Sequence, residues 1–236
     1  MVTELDPALW YDTTADSDTL GRRTAQAMVA GRLRVEILSG VIAPGTRLLQ
    51  TKVAERMQTS TTPVREAMAE LSAEGLVDLD PHRGVIVHRP TEDELHEVYE
   101  MRSLLDPVLM EKTVSNITEA EIARAAALAQ RMDSESEAGA WVVLNSQFHS
   151  VLDNAARSPL LATTVRNLRN RSAIYIAASL RESPERMADA NSEHAAMVES
   201  CRNRDVSSSL EPTRSHIGAT VGLVTRYLQR LETRSA

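Results

Sequence analysis

Three histidines in the second half of this chain have the clearest capacity for chemistry. Phe148–His149 falls in the middle of a helical stretch, with Asn145 one turn earlier on the same face. His194 follows Ser192–Glu193 and His216 follows Arg214–Ser215, each on a later helical stretch. Three imidazoles and an amide oxygen carried on three antiparallel helices can converge on one divalent cation. The same residues can equally serve as three separate hydrogen-bonded histidines, and residue types alone favour that plainer reading. His96 reads as a surface residue.

A second group can recognise rather than react. In the stretch Ser60–Gly75, the hydroxyls of Ser60, Thr61 and Thr62 can accept from the free amides of a first helical turn, and Pro63 fits its first position. Val64, Ala67, Met68 and Leu71 recur at helical spacing on one apolar face, and Gly75 supplies a left-handed stop. Arg65 points away from that face. Hydroxyls, free amides and one guanidinium at a helix N-terminus suit a DNA major groove. The stretch alone could be any capped surface helix, so its neighbours decide.

Upstream, helical stretches over Thr24–Ser39 and Gln50–Gln58 flank the turn Ala43–Pro44–Gly45–Thr46. Helix, short turn and helix at this spacing make a helix-turn-helix. Downstream, Leu76–Leu79 and Val85–Val87 read as two strands around the turn Pro81–Gly84, with Arg83 near its tip. Three helices and a two-stranded wing form a winged helix. Arg83 and Gly84 at the wing tip can approach a DNA backbone or minor groove.

Those elements must be positioned by the rest of the chain. Its 236 residues accommodate two domains. No apolar run approaches the roughly 18 residues that span a bilayer, and no secretion signal opens the sequence. The single cysteine, Cys201, excludes an internal disulfide framework and suits a reducing cytosol. The net charge of −7 is unevenly divided. Residues 1–19 carry five acids and no Lys or Arg, residues 20–90 ten basic against seven acidic, and residues 91–236 sixteen against twenty-one. A basic head on an acidic body is permitted by that asymmetry.

Residues 1–19 read as a mobile tail and residues 20–90 as the DNA-binding domain. Residues 91–236 read as a bundle of six or seven helices, making the chain mainly α. Thr91 and Glu94 form a capping box, as do Thr118 and Glu121. Pro107 predicts a break or a kink, with Asp106 as an N-cap for the next piece. Further helices are predicted over Trp141–Ala155, from Ser158–Pro159 to about Ala178, from Ser183–Pro184 to about Arg202, and from Asp205 to about Leu231.

The pattern Gly40-x-x-x-Pro-Gly-x-x-Leu, then Val53–Ala54–Glu55, Ser-x-Thr-Pro-Val-Arg-Glu-Ala (60–67), Glu74–Gly75–Leu76–Val77 and Arg83–Gly84 resembles the GntR family of bacterial transcription regulators. The resemblance implies DNA contacts by Ser60, Thr62 and Arg65, with Arg83 and Gly84 in the wing. Thr61 occupies a contact position where the family usually carries Arg, and Thr51 stands where many relatives carry a basic residue. Residues 91–230 resemble the FCD effector domain found behind many such heads, through Phe148–His149, Glu193–His194, His216 and the Arg102–Asp106 segment. That likeness implies a divalent metal, zinc first with nickel or manganese as alternatives, held by Asn145, His149, His194 and His216 beside a small carboxylate. Asn145 departs from the family's Asp and removes one negative charge from the ligand set. Arg102 is then a candidate for the carboxylate, or else an ion pair with a nearby acid.

The expected function is a cytoplasmic regulator, not an enzyme, binding a pseudo-palindromic operator as a homodimer and sensing a small organic acid. The alternatives are a metal-free ligand pocket and a metal-dependent hydrolase. The second lacks any HExxH-type pairing of base and ligands.

Overall fold

The computed structural model of the chain describes residues 24–80 and 84–235, with ten helices and three short strands among them. Helix α1 (Ala25–Leu38) starts at Thr24, whose hydroxyl accepts from the Ala27 amide at 3.3 Å. A turn through Gly45, at φ +79°, leads to strand β1 (Arg47–Leu48) and then α2 (Gln50–Arg56). Helix α3 (Thr61–Ala73) buries Val64, Ala67, Met68 and Leu71 against α1. Gly75 turns the chain at φ +78°, a conformation strained for any residue with a Cβ.

Strands β2 (Val77–Asp80) and β3 (Gly84–Val87) form the expected hairpin, paired Val77 to Val87 and Asp80 to Gly84. Strand β1 adds to it, with Arg47 opposite Ile86, so the sheet order is β1-β3-β2. Two residues are too few to show period-two alternation, and so β1 has no sequence signature.

Seven helices follow. The first, α4 (Glu92–Asn116), is capped by the Thr91 hydroxyl, but the other half of the expected box is not made, because the Glu94 carboxylate binds His88 and Arg171; the helix runs unbroken through Pro107. The predicted break is absent because Pro107 is buried and α4 is held along its length by α6, α7, α9 and α10. Such packing outweighs the roughly 3 kcal/mol cost of an interior proline. Asp106 therefore caps nothing and pairs with Arg102 instead. The capping box of α5 (Glu119–Asp133) is complete. Helix α6 (Ala138–Ala155) begins one turn before Trp141, because the Glu137 carboxylate accepts from the Ala140 amide at 2.7 Å.

The helix expected to reach Ala178 divides into α7 (Pro159–Ala173) and α8 (Ile176–Glu182). Ile174 and Tyr175 at the joint are both buried, so packing rather than a breaker residue sets the bend. Helix α9 (Glu185–Asn203) ends at Arg204 in the left-handed region, and α10 (Val206–Ser235) passes through Pro212. No described helix is long and apolar enough to cross a membrane.

The head is fastened to the bundle at its helix C-termini, where backbone carbonyls need donors. The Asn167 and Asn170 amides of α7 donate to the carbonyls of Ala73 and Glu74, at the end of α3. Arg181 of α8 donates to the Ser39 carbonyl at the end of α1. Gly139 lies so close beneath that turn that a Cβ would sit 2.8 Å from the Ser39 oxygen. Arg171 joins Glu94 at 2.7 Å, and the buried His88 joins Glu94 and Asp78 of the wing.

Candidate functional site

His149 of α6, His194 of α9 and His216 of α10 meet inside the bundle. Each can offer a ring nitrogen such that all three ligand atoms lie within 4.8 Å of one another. Ring centroids are 5.3 Å apart for His149–His194 and 4.7 Å for His194–His216. Trp141 stacks on His194, and Phe148 covers it at 4.6 Å. Helical spacing puts Asn145 on the same side of α6 as His149, and its side chain lines the same cavity.

The plainer reading, three separate hydrogen-bonded histidines, does not hold for His194, and one nitrogen of His149 is left over as well. His149 Nε2, both nitrogens of His194 and Asn145 Oδ1 are buried with no hydrogen-bond partner among the described residues. Leaving such atoms unsatisfied costs roughly 1–3 kcal/mol each, so the cluster calls for a further group. Three neutral imidazoles and an amide oxygen are a donor set that fits a borderline divalent cation such as zinc.

The local electrostatics keep the ligands ready. Burial pushes His149 well below the usual histidine value, helped by Arg169 and the neighbouring histidines. Burial does the same to His194, with His216 and Arg186 adding to it. His216 is lowered by burial too, although Glu193 opposes the shift. Burial would raise Glu193, but hydrogen bonds from His216 and Arg186 outweigh it and bring it to about 2. The rings are therefore neutral at pH 7, with their lone pairs free for coordination.

Arginines surround the cluster. Arg102 lies against the Tyr99 ring and donates to Asp106 at 3.0 Å. The ion-pair reading of Arg102 applies, since the pair is buried, and the same side chain lines a cavity with His149 and His216. Arg169 of α7 and Arg186 of α9 line it as well. Arg169 pairs with Asp153 at 2.7 Å and Arg186 with Glu193 at 2.7 Å. Arg102 Nε, Arg169 Nε and Arg186 Nη1 have no partner among the described residues. Arg186, one heptad before Glu193, had a helical-spacing signal. Arg169 had none, because Asp153 lies on another helix. Two small cavities flank His149, of about 30 and about 20 Å³.

At the other end of the molecule, Ser60, Thr61, Thr62 and Arg65 are exposed at the start of α3. Ser60 is the N-cap residue but makes no side-chain capping bond, so the expected capping role is absent. Pro63 stands third in the helix rather than first, where its amide is still not required. Gly84 has φ +81°, which explains the glycine by backbone conformation. Arg83 lies outside the described residues.

Comparison with known proteins agrees with both halves. Residues 25–87 match the bacterial regulatory proteins of the gntR family, and residues 97–219 match the FCD domain. The chain belongs to the GntR family. Within it, the chain is similar to the gluconate operon transcriptional repressor of Bacillus licheniformis, 34% identical over 93 residues that cover 39% of this chain and 38% of that protein. It is also similar to the Nta operon transcriptional regulator of Aminobacter aminovorans, 29% identical over 130 residues covering 54% and 62%. The aligned part is thus less than two thirds of either GntR relative. E. coli McbR/YncC has the same fold, with a TM-score of 0.76 at 18% identity over 88% of this chain and 100% of that one.

Proposed function

We propose that this GntR-family chain is a ligand-responsive transcription regulator. Its winged helix binds a pseudo-palindromic operator as a homodimer, and its FCD domain holds a divalent metal, zinc first, beside a small carboxylate. The observation that carries the reading is the cluster of unpartnered histidine nitrogens bordered by unpartnered arginine N–H groups.

Asn145, His149, His194 and His216 would hold the metal. When bound, it supplies a Lewis-acidic positive charge that attracts carboxylate oxygens. The protein's own part is to keep the imidazoles neutral, to fix the His216 ring through Glu193, and to offer Arg102, Arg169 and Arg186 to an anion. The flanking cavities are water-sized, so an organic acid must displace side chains to enter. The arginine–carboxylate pairs are the groups it would rearrange, because a ligand carboxylate competes for the same guanidinium donors.

Coupling to DNA is supported by α7. Arg169 faces the cavity, while Asn167, Asn170 and Arg171 of the same helix hold the end of α3 and the base of the wing. The exposed hydroxyls of residues 60–62, uncapped amides and Arg65 support α3 as the reading helix. The division at residues 90 and 91, with its proline-stiffened junction, belongs to the same proposal. As for the hydrolase alternative, Glu193 is held by His216 and Arg186 and is not a free base.

The deciding experiment is elemental analysis of protein purified without chelators, followed by thermal-shift screening of small hydroxy-, keto- and dicarboxylic acids and operator titration with each hit. A protein that neither contains nor takes up metal but binds an acid would favour the metal-free pocket, the reading that the neutral Asn145 ligand supports.

A further inference from the structure

The buried charges around the histidine cluster cancel one another. Arg102 pairs with Asp106 at 3.0 Å, Arg169 with Asp153 at 2.7 Å and Arg186 with Glu193 at 2.7 Å. None of these six side chains is more than 14% exposed, so water screens them little. Three guanidinium charges against three carboxylates leave no net charge. Arg166, whose charge is also felt at Asp153, tips the balance to the positive side. The candidate ligands themselves add nothing negative. A histidine that gives its lone pair to a metal is neutral, and Asn145 offers a neutral amide oxygen. Asp106 and Asp153, the acids that line the two cavities, are already committed to arginines. A divalent metal bound here therefore brings two positive charges with no counter-charge among the described residues. An uncompensated charge in a closed interior is strongly unfavourable, so such a metal needs an anion beside it.

We propose that Asn145 sets the charge of the effector: the site takes a dianion, a short dicarboxylate, and binds it cooperatively with the metal. The inference rests on the metal-and-carboxylate reading above and names the charge of that carboxylate. A monocarboxylate cancels one of the two charges, whereas a dicarboxylate cancels both. Donors for the second acid group are in place. Arg102 Nε, Arg169 Nε and Arg186 Nη1 are buried N–H groups without a partner among the described residues. The three arginines share one cavity with Asn145 and His149, so both ends of a short molecule find positive charge within it. Ile176, Leu180 and Leu223 on the same wall suit the carbon chain between the acid groups. The small volumes, about 30 and about 20 Å³ on the two sides of His149, keep that chain short.

Calorimetry on the full chain loaded with zinc tests the charge, with malonate, succinate and glutarate set against propionate, butyrate and valerate at neutral pH. The best dicarboxylate should bind roughly tenfold or more tightly than the monocarboxylate of its length, the scale of one further charge in a poorly screened site. Asn145→Asp supplies one of the missing charges, so its preference should fall to roughly threefold or less. Asn145→Ala stays neutral and should keep the wild-type preference, which separates charge from loss of a ligand atom. Chelator competition on the wild type reads the same coupling without any substitution. With free zinc buffered, zinc affinity should rise in the presence of the best dicarboxylate and much less with its matched monocarboxylate, because linkage is reciprocal. Zinc-loaded protein that binds the monocarboxylates as tightly, or takes neither series, overturns the dianion and leaves the metal standing. A protein that takes up no zinc overturns metal and dianion together.

Discussion

His216 Nδ1 lies 2.8 Å from Glu193 Oε2, and Glu193 immediately precedes His194 in the chain. One carboxylate thereby orients a ring on α10 while standing next to a second candidate ligand on α9. The Nδ1–H of the neutral imidazole donates to the carboxylate, which leaves Nε2 unprotonated and facing the cluster. Arg186 holds the same carboxylate oxygen at 2.7 Å, so the orienting group is itself anchored.

Glu193→Gln should therefore weaken metal binding by roughly 10–100-fold, the usual effect of removing a carboxylate behind a ligand histidine. Chelator-competition titration reads the affinity, and circular dichroism checks that the bundle is intact. An unchanged affinity would show that His216 is not a ligand.

Asn145→Asp should act in the opposite direction. An anionic oxygen would replace a neutral one in a set otherwise made of neutral imidazoles, so the same titration should show tighter binding. Weaker metal binding by this variant would place residue 145 outside the ligand set.

The starts of α4 and α5 and the wing were legible in the sequence because local signals define them: a threonine cap with Glu three residues on, and a turn between β-rich runs. The convergence of His149, His194 and His216 was legible only as one of two readings, since hydrogen-bond partners across helices leave no mark on spacing. Arg169 illustrates the limit. Its partner Asp153 is on another helix, and nothing local distinguishes it from Arg166 or Arg171 on the same one. Pro107 failed as a breaker for a related reason, since tertiary packing around α4 overrides a local penalty.

Arg65→Ala should cost about 1–3 kcal/mol of operator binding if the guanidinium reads a base, with a much smaller loss on random DNA. Equal losses on both would assign it to phosphate. Fluorescence anisotropy at fixed salt distinguishes the two, because phosphate contacts carry the salt dependence. No loss on either DNA would remove α3 from the interface.

Cys201 offers a test of the bundle itself. Burial pushes its thiol up to about 11, from an ordinary value of 9.0. The unfolded chain ionises first as pH rises, so the contribution of this group to stability is lost from about pH 9 upward. At pH 8 the folded thiol should resist iodoacetamide, and labelling should follow the denaturant unfolding curve. Rapid labelling of the folded protein would contradict a closed bundle.

The last prediction concerns transmission from cavity to DNA. Asn167 and Asn170 donate to the final carbonyls of α3, at 2.9 and 3.3 Å, and Asn170 directly follows the cavity residue Arg169. A ligand carboxylate that draws Arg169 from Asp153 must shift α7, and those two amides carry the shift to the reading helix. A ligand moves the head only as far as it prefers one arrangement over the other, and a coupling of about 1–3 kcal/mol is the usual scale. The double variant Asn167→Ala, Asn170→Ala should retain ligand binding, measured by calorimetry, and lose most of the ligand-dependent change in operator affinity. Both carbonyls lie at a helix end, where water can replace the lost donors, so the fold should survive. Full retention of the ligand response would move the route to the Arg89–Pro90–Thr91 junction and α4.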